Sequence, residues 1–267
     1  MLPKSQMSAL WRSLRLHAGA RDVAFSSRII LFLLKAWTNS GGRLSRDIRI
    51  RVSGGYVFLS ADTLKIDLDT FAEIYLLRVY PPPEEGAVVI DIGAHKGYYA
   101  TWALANGAVA VASYEPQSAN FAALERAWRS RKPCTMWTIN RAAVGSIVGL
   151  VSLYVSDESW AHSIYPSMGR FRAAEEVRMT TLEFAINDCQ SRWGHCRVLL
   201  KVDVEGAAFD VLGHAQPDEL RPLYQICFDH EPGSPYDVDE LLSRLAVAGF
   251  DLVTVDRDQE FRLARSE

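Results

Sequence analysis

The chain has 267 residues, of which 49% are hydrophobic and 23% charged. That is enough apolar residue to bury a sizeable core, and it excludes a chain disordered throughout. A net charge of −3 excludes a polycationic nucleic-acid binder. The four cysteines (Cys134, Cys189, Cys196, Cys227) include no CxxC pair. The expectation is reduced thiols in a cytoplasmic protein and no zinc site, since His195-Cys196 has no second pair near it. Charge is uneven. Residues 1–51 carry ten Lys or Arg against Asp22 and Asp47, so the remainder is strongly acidic. Such a segment is either a solvated face or a surface for anionic lipid or an acidic partner.

In chain order, residues 5–38 read as helical. Their apolar run Ile29–Leu34 is too short to span a bilayer. Asn39-Ser40-Gly41-Gly42 breaks the pattern. Ile48–Val52 alternates apolar and polar residues as a half-buried strand does, and Gly54-Gly55 turns the chain into Tyr56–Leu59, predicting a hairpin. Asp69–Val79 predicts a short helix. Pro81-Pro82-Pro83-Glu84-Glu85-Gly86 is a boundary, because proline continues neither a helix nor a central strand. The expected organisation is a basic helical extension over 1–45 and one domain over 46–267, with its core from about residue 84.

Ala87–Asp91 is a continuous apolar run, as in a parallel strand buried on both faces. Helix follows over Tyr98–Asn106, strand over Ala108–Tyr114, helix over Ser118–Arg129 and strand over Thr135–Ile139. Val151–Val155 predicts an added strand, and 157–176 a polar insertion. A short helix over Thr181–Cys189 precedes the strongly apolar strand Val198–Val202. Phe209–Gly213 begins a helix, Tyr224–Phe228 is a strand, and Val238–Ala248 is a helix stopped by Gly249. Leu252–Val255 and Phe261–Leu263 close the sheet as a hairpin. Repeated strand–helix alternation predicts a parallel α/β sheet with helices on both faces.

The chemistry concentrates after the strand at Ala87–Asp91. In Asp91-Ile92-Gly93-Ala94-His95-Lys96-Gly97, Gly93 permits a sharp turn and Gly97 a close helix approach. The loop is expected to offer backbone N–H groups to a ligand at the helix N-terminus. Glu115 ends the next strand, where a carboxylate can accept both hydroxyls of a ribose. Ala94 stands where a dinucleotide loop has glycine, leaving less room for a pyrophosphate, and Asp91 suits a ligand with an ammonium group. Both favour S-adenosylmethionine (SAM) over NAD. His95 is expected to shape the loop.

Four stretches together resemble the FkbM-type SAM-dependent methyltransferases: Val89–Gly97; Tyr114-Glu115-Pro116 with Asn120, Phe121 and Leu124; Asn140–Gly145; and Leu200–Ala207. The pattern departs at Ala208, where the family has Glu. The resemblance implies a class I methyltransferase fold, Rossmann-like with a mostly parallel seven-stranded sheet, and methyl transfer to a hydroxyl oxygen. It also implies a SAM site lined by Asp91, Gly93, Ala94, Gly97, Glu115, Pro116, Asn140 and Ala142, with Asp203 and Glu205 facing methyl donor and acceptor.

A neutral hydroxyl is a poor nucleophile, so a general base helps. Asp203 is the first candidate, on the end of a rigid apolar strand. His230, beside Asp229 and Glu231, and His162, in the insertion, follow. Asp203, Glu205, Asp229, His230 and Glu231 form a carboxylate-rich rim that a Mg²⁺-type ion could bridge; ordinary hydrogen bonding is the reading taken, and no residue is assigned to a metal. The expected partner is a small-molecule or glycan acceptor. Nucleic acid is not expected, because the acidic remainder repels phosphate. The competing reading is a catalytically weak SAM-binding or partner-binding module.

Overall fold

The computed structural model describes residues 47–52, 55–131, 136–231, 233–255 and 260–266. The basic extension expected over 1–45, with its membrane or partner contact, lies outside the described residues, as does Cys134. Among the described residues no helix is long and apolar enough to cross a membrane. The alternating segment and its successor are strands, β1 (Ile48–Val52) and β2 (Gly55–Leu59), forming a two-stranded sheet. The described residues divide into two compact units, those up to Ile50 with Leu59–Pro81, and those of Arg51–Phe58 with those from Pro82 onward.

In the first unit, α1 (Leu64–Ala72) runs on as a π-helical stretch, Glu73–Leu77. It begins five residues before the expected Asp69. The cause is Asp67, buried in the first turn, which accepts hydrogen bonds from Ser60 N and Thr63 Oγ. A carboxylate among the unpaired N–H groups of a helix start stabilises that end. Phe71 and Ile74 are buried, and the rings of Phe71 and Tyr75 stack.

The second unit is built on β3 (Val88–Ile92), β4 (Ala110–Tyr114), β5 (Trp137–Asn140), β9 (Val198–Val202), β10 (Leu223–Asp229), β11 (Phe250–Val255) and β12 (Glu260–Arg265). Their order in the sheet is β11-β12-β10-β9-β3-β4-β5. All neighbouring pairs from β10 to β5 are parallel, while β12 runs antiparallel to both β10 and β11. The helices are α2 (Tyr98–Ala103), α3 (Ser118–Ser130), α4 (Leu182–Trp193), α5 (Ala208–Leu212) and α6 (Val238–Val247).

Every residue of β3, β4 and β9 is buried, which is why these segments read as unbroken apolar runs. One face of the sheet carries Val88, Ile90, Leu200 and Ile226, packed with Leu182 and Ile186 of α4 and Leu241 and Leu245 of α6. Burying each such side chain stabilises the fold by about 1.5–3 kcal/mol. Side chains alternate along a strand, so Asp91 and Lys201 point to the other face.

The chain leaves β3 toward β4 and β5 on one side and later returns to β9 and β10 on the other, although β3 and β9 are direct neighbours. The direction of winding therefore reverses between β3 and β9. A crevice opens at such a point, beyond the carboxyl ends of the strands.

The structure corrects the middle of the chain. A three-stranded sheet, β6 (Ala143–Gly145), β8 (Ala173–Thr181) and β7 (Gly149–Val155), stands where one added strand and a polar insertion were expected. Ala143, Leu153, Val177 and Met179 form its own small core. β8 hides in the sequence because Glu175 and Glu176 lie within it. Glu175 is not wasted on solvent: it accepts hydrogen bonds from Ser118 N, Ser118 Oγ and Gln117 Nε2 at the start of α3. The insertion proper thus ends before Ala173.

Candidate active site

The loops after β3 and β9 clasp each other at the winding reversal. Asp203 N donates to Ile92 O at 3.1 Å. Gly93 has φ +75°, and a Cβ placed on it would stand 1.7 Å from the Asp203 carbonyl oxygen. No other residue fits there, so Gly93 fixes the position of Asp203 as much as it shapes its own loop. Gly97, φ +82°, caps the start of α2; a Cβ there would lie 2.8 Å from Leu124 Cδ1 of α3.

The N–H groups of Gly93, Ala94, His95 and Gly97 are spent inside the fold, where the sequence suggested that the loop would offer its N–H groups outward. Gly93 N and Ala94 N both donate to Tyr114 O at 3.0 Å, and Gly97 N donates to Ala94 O. His95 N donates to Glu115 Oε2 at 2.8 Å, with His95 held at φ +48°. The loop's polar offering to a ligand therefore passes through Glu115.

Glu115 is buried at the end of β4, one residue beyond Tyr114. Its Oε1 accepts from Gln117 N at 2.9 Å. Each oxygen thus holds one backbone N–H and keeps one lone-pair direction open. Burial pushes the carboxyl up to about 8, against the opposing pull of the two N–H groups. A carboxylate in that state is favoured by further donors. Pro116 and Asn140 sit beside it: Asn140 O accepts from Glu115 N, and Asn140 Nδ2 donates to Ser113 O. Ala142 follows β5 in the same loop.

Lys201, next to the last residue of β9, is a site residue that sequence reasoning missed. It is buried, and its Nζ donates to Gly93 O at 2.9 Å, lying 3.3 Å from Asp91 Oδ1 and 3.1 Å from Asp203 Oδ2. Burial alone pulls its pKa down, but Asp203 and Asp91 more than offset this and the net shift is upward. The two carboxylates thus favour the charged ammonium. Its signal was present: a lysine inside an otherwise apolar strand must find a partner.

Asp91 is sealed from solvent, and the Lys201 ammonium, 3.3 Å from its Oδ1, is the positive charge beside it. Burial raises its pKa, and Lys201 opposes the rise. The structure makes Asp91 the buried counter-ion of Lys201, where the sequence suggested the ammonium of a ligand. Asp203, by contrast, is about one-third exposed, at the mouth of the crevice.

Glu205 and Glu231 stand beside Asp203. One carboxylate oxygen from each of the three lies within 4.8 Å of the others. Glu205 has φ +50°, rare for a residue with a side chain, and Gly206 follows at +86°. Burial, then Asp203 and Glu231, push Glu205 up to about 10. Glu231 rises to about 7 through burial and Asp203, although its Oε2 accepts from Gly206 N. Asp229 is raised by burial and by Asp203. Ala208, where the family pattern has Glu, is buried at the start of α5 as part of the core.

The residues between β7 and β8 cross this site. Ser159 O accepts from Asn120 Nδ2 at 2.7 Å, and Ser159 Oγ is 3.1 Å from His95 Nε2. Four residues on, Ser163 Oγ donates to Glu205 O at 2.7 Å. Tyr165 OH bonds Asp210 of α5, and Met168 lies against Gly206. The strap thus joins the Glu115 side to the Asp203 side, a role with no motif in its sequence.

The histidines divide. His162 Nδ1 accepts from Ser156 N at 3.1 Å, and burial lowers its pKa to about 4. With Nδ1 occupied, the neutral ring carries its proton on Nε2 and acts as a donor. His230 packs edge-on to Tyr236 and Phe261, and burial lowers its pKa.

The methyltransferase FkbM domain matches residues 91–252. No curated protein matches the chain. Among solved structures, a methyltransferase FkbM from Methylobacillus flagellatus KT superposes with a TM-score of 0.48 and 14% identity over 76% of this chain and 53% of that one. The chain thus spans about half the length of that relative. A 16S rRNA N2 G1207 methyltransferase of T. thermophilus, in complex with AdoMet and guanosine, gives 0.37 and 14% over 83% of this chain and 50% of that one. A ribosomal protein L11 methylase from Lactobacillus delbrueckii subsp. bulgaricus gives 0.36 and 12% over 78% and 81%. With its glycine loop and Lys201–Gly206 segment inside the matched span, which covers more than half of the chain, the chain belongs to the FkbM methyltransferase family.

Proposed function

We propose that the protein binds SAM at the crevice between β3 and β9 and transfers its methyl group to a hydroxyl oxygen of a small molecule or glycan. The observation that carries the reading is Glu115. Its two oxygens each hold one backbone N–H and keep one acceptor direction, which suits the paired hydroxyls of a ribose. Bound SAM supplies a methyl on a sulfonium, already electrophilic.

The chain's task is then to bring an acceptor oxygen into line and take its proton. Asp203 fits that role. It is solvent-accessible at the crevice, its backbone is fixed by Gly93, and one oxygen is held by Lys201. The strap at Ser159–Met168 ties the Glu115 side of the site to the Asp203 side. The acidic groups around Asp203 favour an acceptor without phosphate, hence not nucleic acid.

Titration calorimetry with SAM and with its demethylated product tests the cofactor; binding of neither overturns the reading. Asp203→Asn tests the base. Turnover should fall by about 10²–10⁴-fold, the range general-base catalysis supplies, with cofactor affinity within a few-fold of the parent. Unchanged turnover removes Asp203 from the chemistry.

A further inference from the structure

Glu115 belongs to a closed circuit of hydrogen bonds, and one member of that circuit comes from the strap. His95 N donates to Glu115 Oε2 at 2.8 Å, and His95 Nε2 lies 3.1 Å from Ser159 Oγ. On the other side, Gln117 N donates to Glu115 Oε1 at 2.9 Å, and Gln117 Oε1 accepts from Asn120 N at 2.8 Å. Asn120 Nδ2 donates to Ser159 O at 2.7 Å and closes the circuit. The two N–H groups on Glu115 thus belong to two chains of bonds that both end on Ser159. Glu115, Gln117, Asn120 and Ser159 are all buried, which strengthens bonds made away from bulk water.

The His95 arm leans on Ser159 most. His95 sits at φ +48°, a conformation that a residue with a side chain keeps only where its surroundings enforce it. The direction of its N–H follows from that backbone angle. Its Nδ1 is sealed without a hydrogen-bond partner, which leaves Ser159 as the polar anchor of the ring. Burial lowers the ring's pKa well below its ordinary value and keeps it neutral, so the tie to Ser159 joins uncharged groups. The strap presents Ser159 on a tip that closes on itself. Ser156 N donates to His162 Nδ1, Glu158 N to Ser156 Oγ and Ala161 N to Glu158 O. Ser159 is therefore held out by a folded loop and not by a loose segment.

We propose that Ser159 is a positioning residue for the cofactor: from the strap it fixes the two N–H groups on Glu115, and so the directions in which that carboxylate receives the ribose hydroxyls. The step rests on the cofactor reading given above. Docking of the tip at 156–162 and binding of a ribose at Glu115 then favour each other, since coupling between two sites acts equally in both directions.

The test compares two probes by calorimetry, the demethylated cofactor product and its 2′,3′-dideoxy analogue, which lacks both ribose hydroxyls. The parent should prefer the first at least about tenfold, the worth of hydrogen bonds to a carboxylate. Ser159→Ala should weaken the first about 3–10-fold, the worth of one bond between neutral groups, and leave the second within about twofold. Asn120→Ala, which breaks the other arm, should act in the same sense. Glu158→Gln, exposed on the same tip, should alter neither affinity. In the parent, hydrogen exchange over 156–162 should slow on binding the first probe and slow less on binding the second. A merely structural role for Ser159 would weaken both probes alike. Equal losses on the two probes, no loss on either, or exchange at the tip indifferent to both overturns the proposal. A parent that binds neither probe, or binds the two alike, refutes the part of Glu115 in the cofactor reading and takes the positioning role with it. A parent that prefers the ribose probe leaves that reading standing, whatever Ser159→Ala does.

Discussion

Replacing Lys201 by Met probes the centre of the site. The change deletes an ammonium that reaches Gly93 O at 2.9 Å, Asp203 Oδ2 at 3.1 Å and Asp91 Oδ1 at 3.3 Å. Met keeps most of the volume, so the loss is electrostatic. Removing one partner of a buried ion pair costs about 3–5 kcal/mol, because the other charge is left unpaired. Asp91 is that charge: it is sealed, and Lys201 is the positive charge beside it. In a domain of this size about 3–5 kcal/mol corresponds to a fall of roughly 6–20 °C in Tm. Calorimetric melting and urea unfolding both read it. The double change Lys201→Met with Asp91→Asn should recover at least about 1 kcal/mol relative to the sum of the single effects, since contacting groups couple. A Lys201→Met protein within about 1 kcal/mol of the parent, or a double change that is simply additive, would refute the buried-pair account.

Further outcomes follow from the same geometry. Gly93→Ala drives a methyl onto the Asp203 carbonyl and asks a non-glycine residue to hold φ +75°; soluble yield and cofactor binding should both collapse, and a normal melting curve would contradict the clasp. In Glu115→Gln one NH₂ must face a backbone N–H, either His95 N or Gln117 N. Cofactor affinity should drop at least about tenfold with about 1–3 kcal/mol of stability, and unaltered calorimetric affinity would remove Glu115 from the cofactor site. For pH, the folded state holds Glu115 at about 8, Glu205 at about 10 and Glu231 at about 7, all above the ordinary carboxyl range. The folded chain then keeps protons that the unfolded chain has already released. The protein should lose stability as pH rises from about 7 to about 9, by up to about 1.4 kcal/mol per pH unit for each proton kept. A urea midpoint that is flat or rising over that interval would show that these carboxyls are not held protonated.

Much of the fold was written locally. Val198–Val202 reads as a buried strand because all five residues are buried, and the structure gives the same five. The helix over 238–247 and the closing hairpin of β11 and β12 likewise follow from spacing and turn residues. The glycine loop and Glu115 were legible for the same reason, since a turn at φ above zero and an acid at a strand end are properties of short segments. β6 and β8 were not legible. β6 is three residues long and exists only because Met179–Thr181 runs alongside it.

The sequence by itself determined the alternation of strand and helix, the boundary prolines and the placing of Asp91, Gly93, Glu115 and Asp203 at strand ends, because each depends on a short stretch of side chains. Tertiary structure decided what those residues do. Gly93 and Lys201, 108 positions apart, are joined by a hydrogen bond, and the same ammonium reaches Asp91, which turns Asp91 from a ligand-facing acid into a buried counter-ion. Parallel pairing of β9 with β10 likewise gathers Asp203, Glu205 and Glu231. Periodicity cannot report such meetings, because which strand ends become neighbours is settled by the order of strands in the sheet, and that order is a property of the whole core.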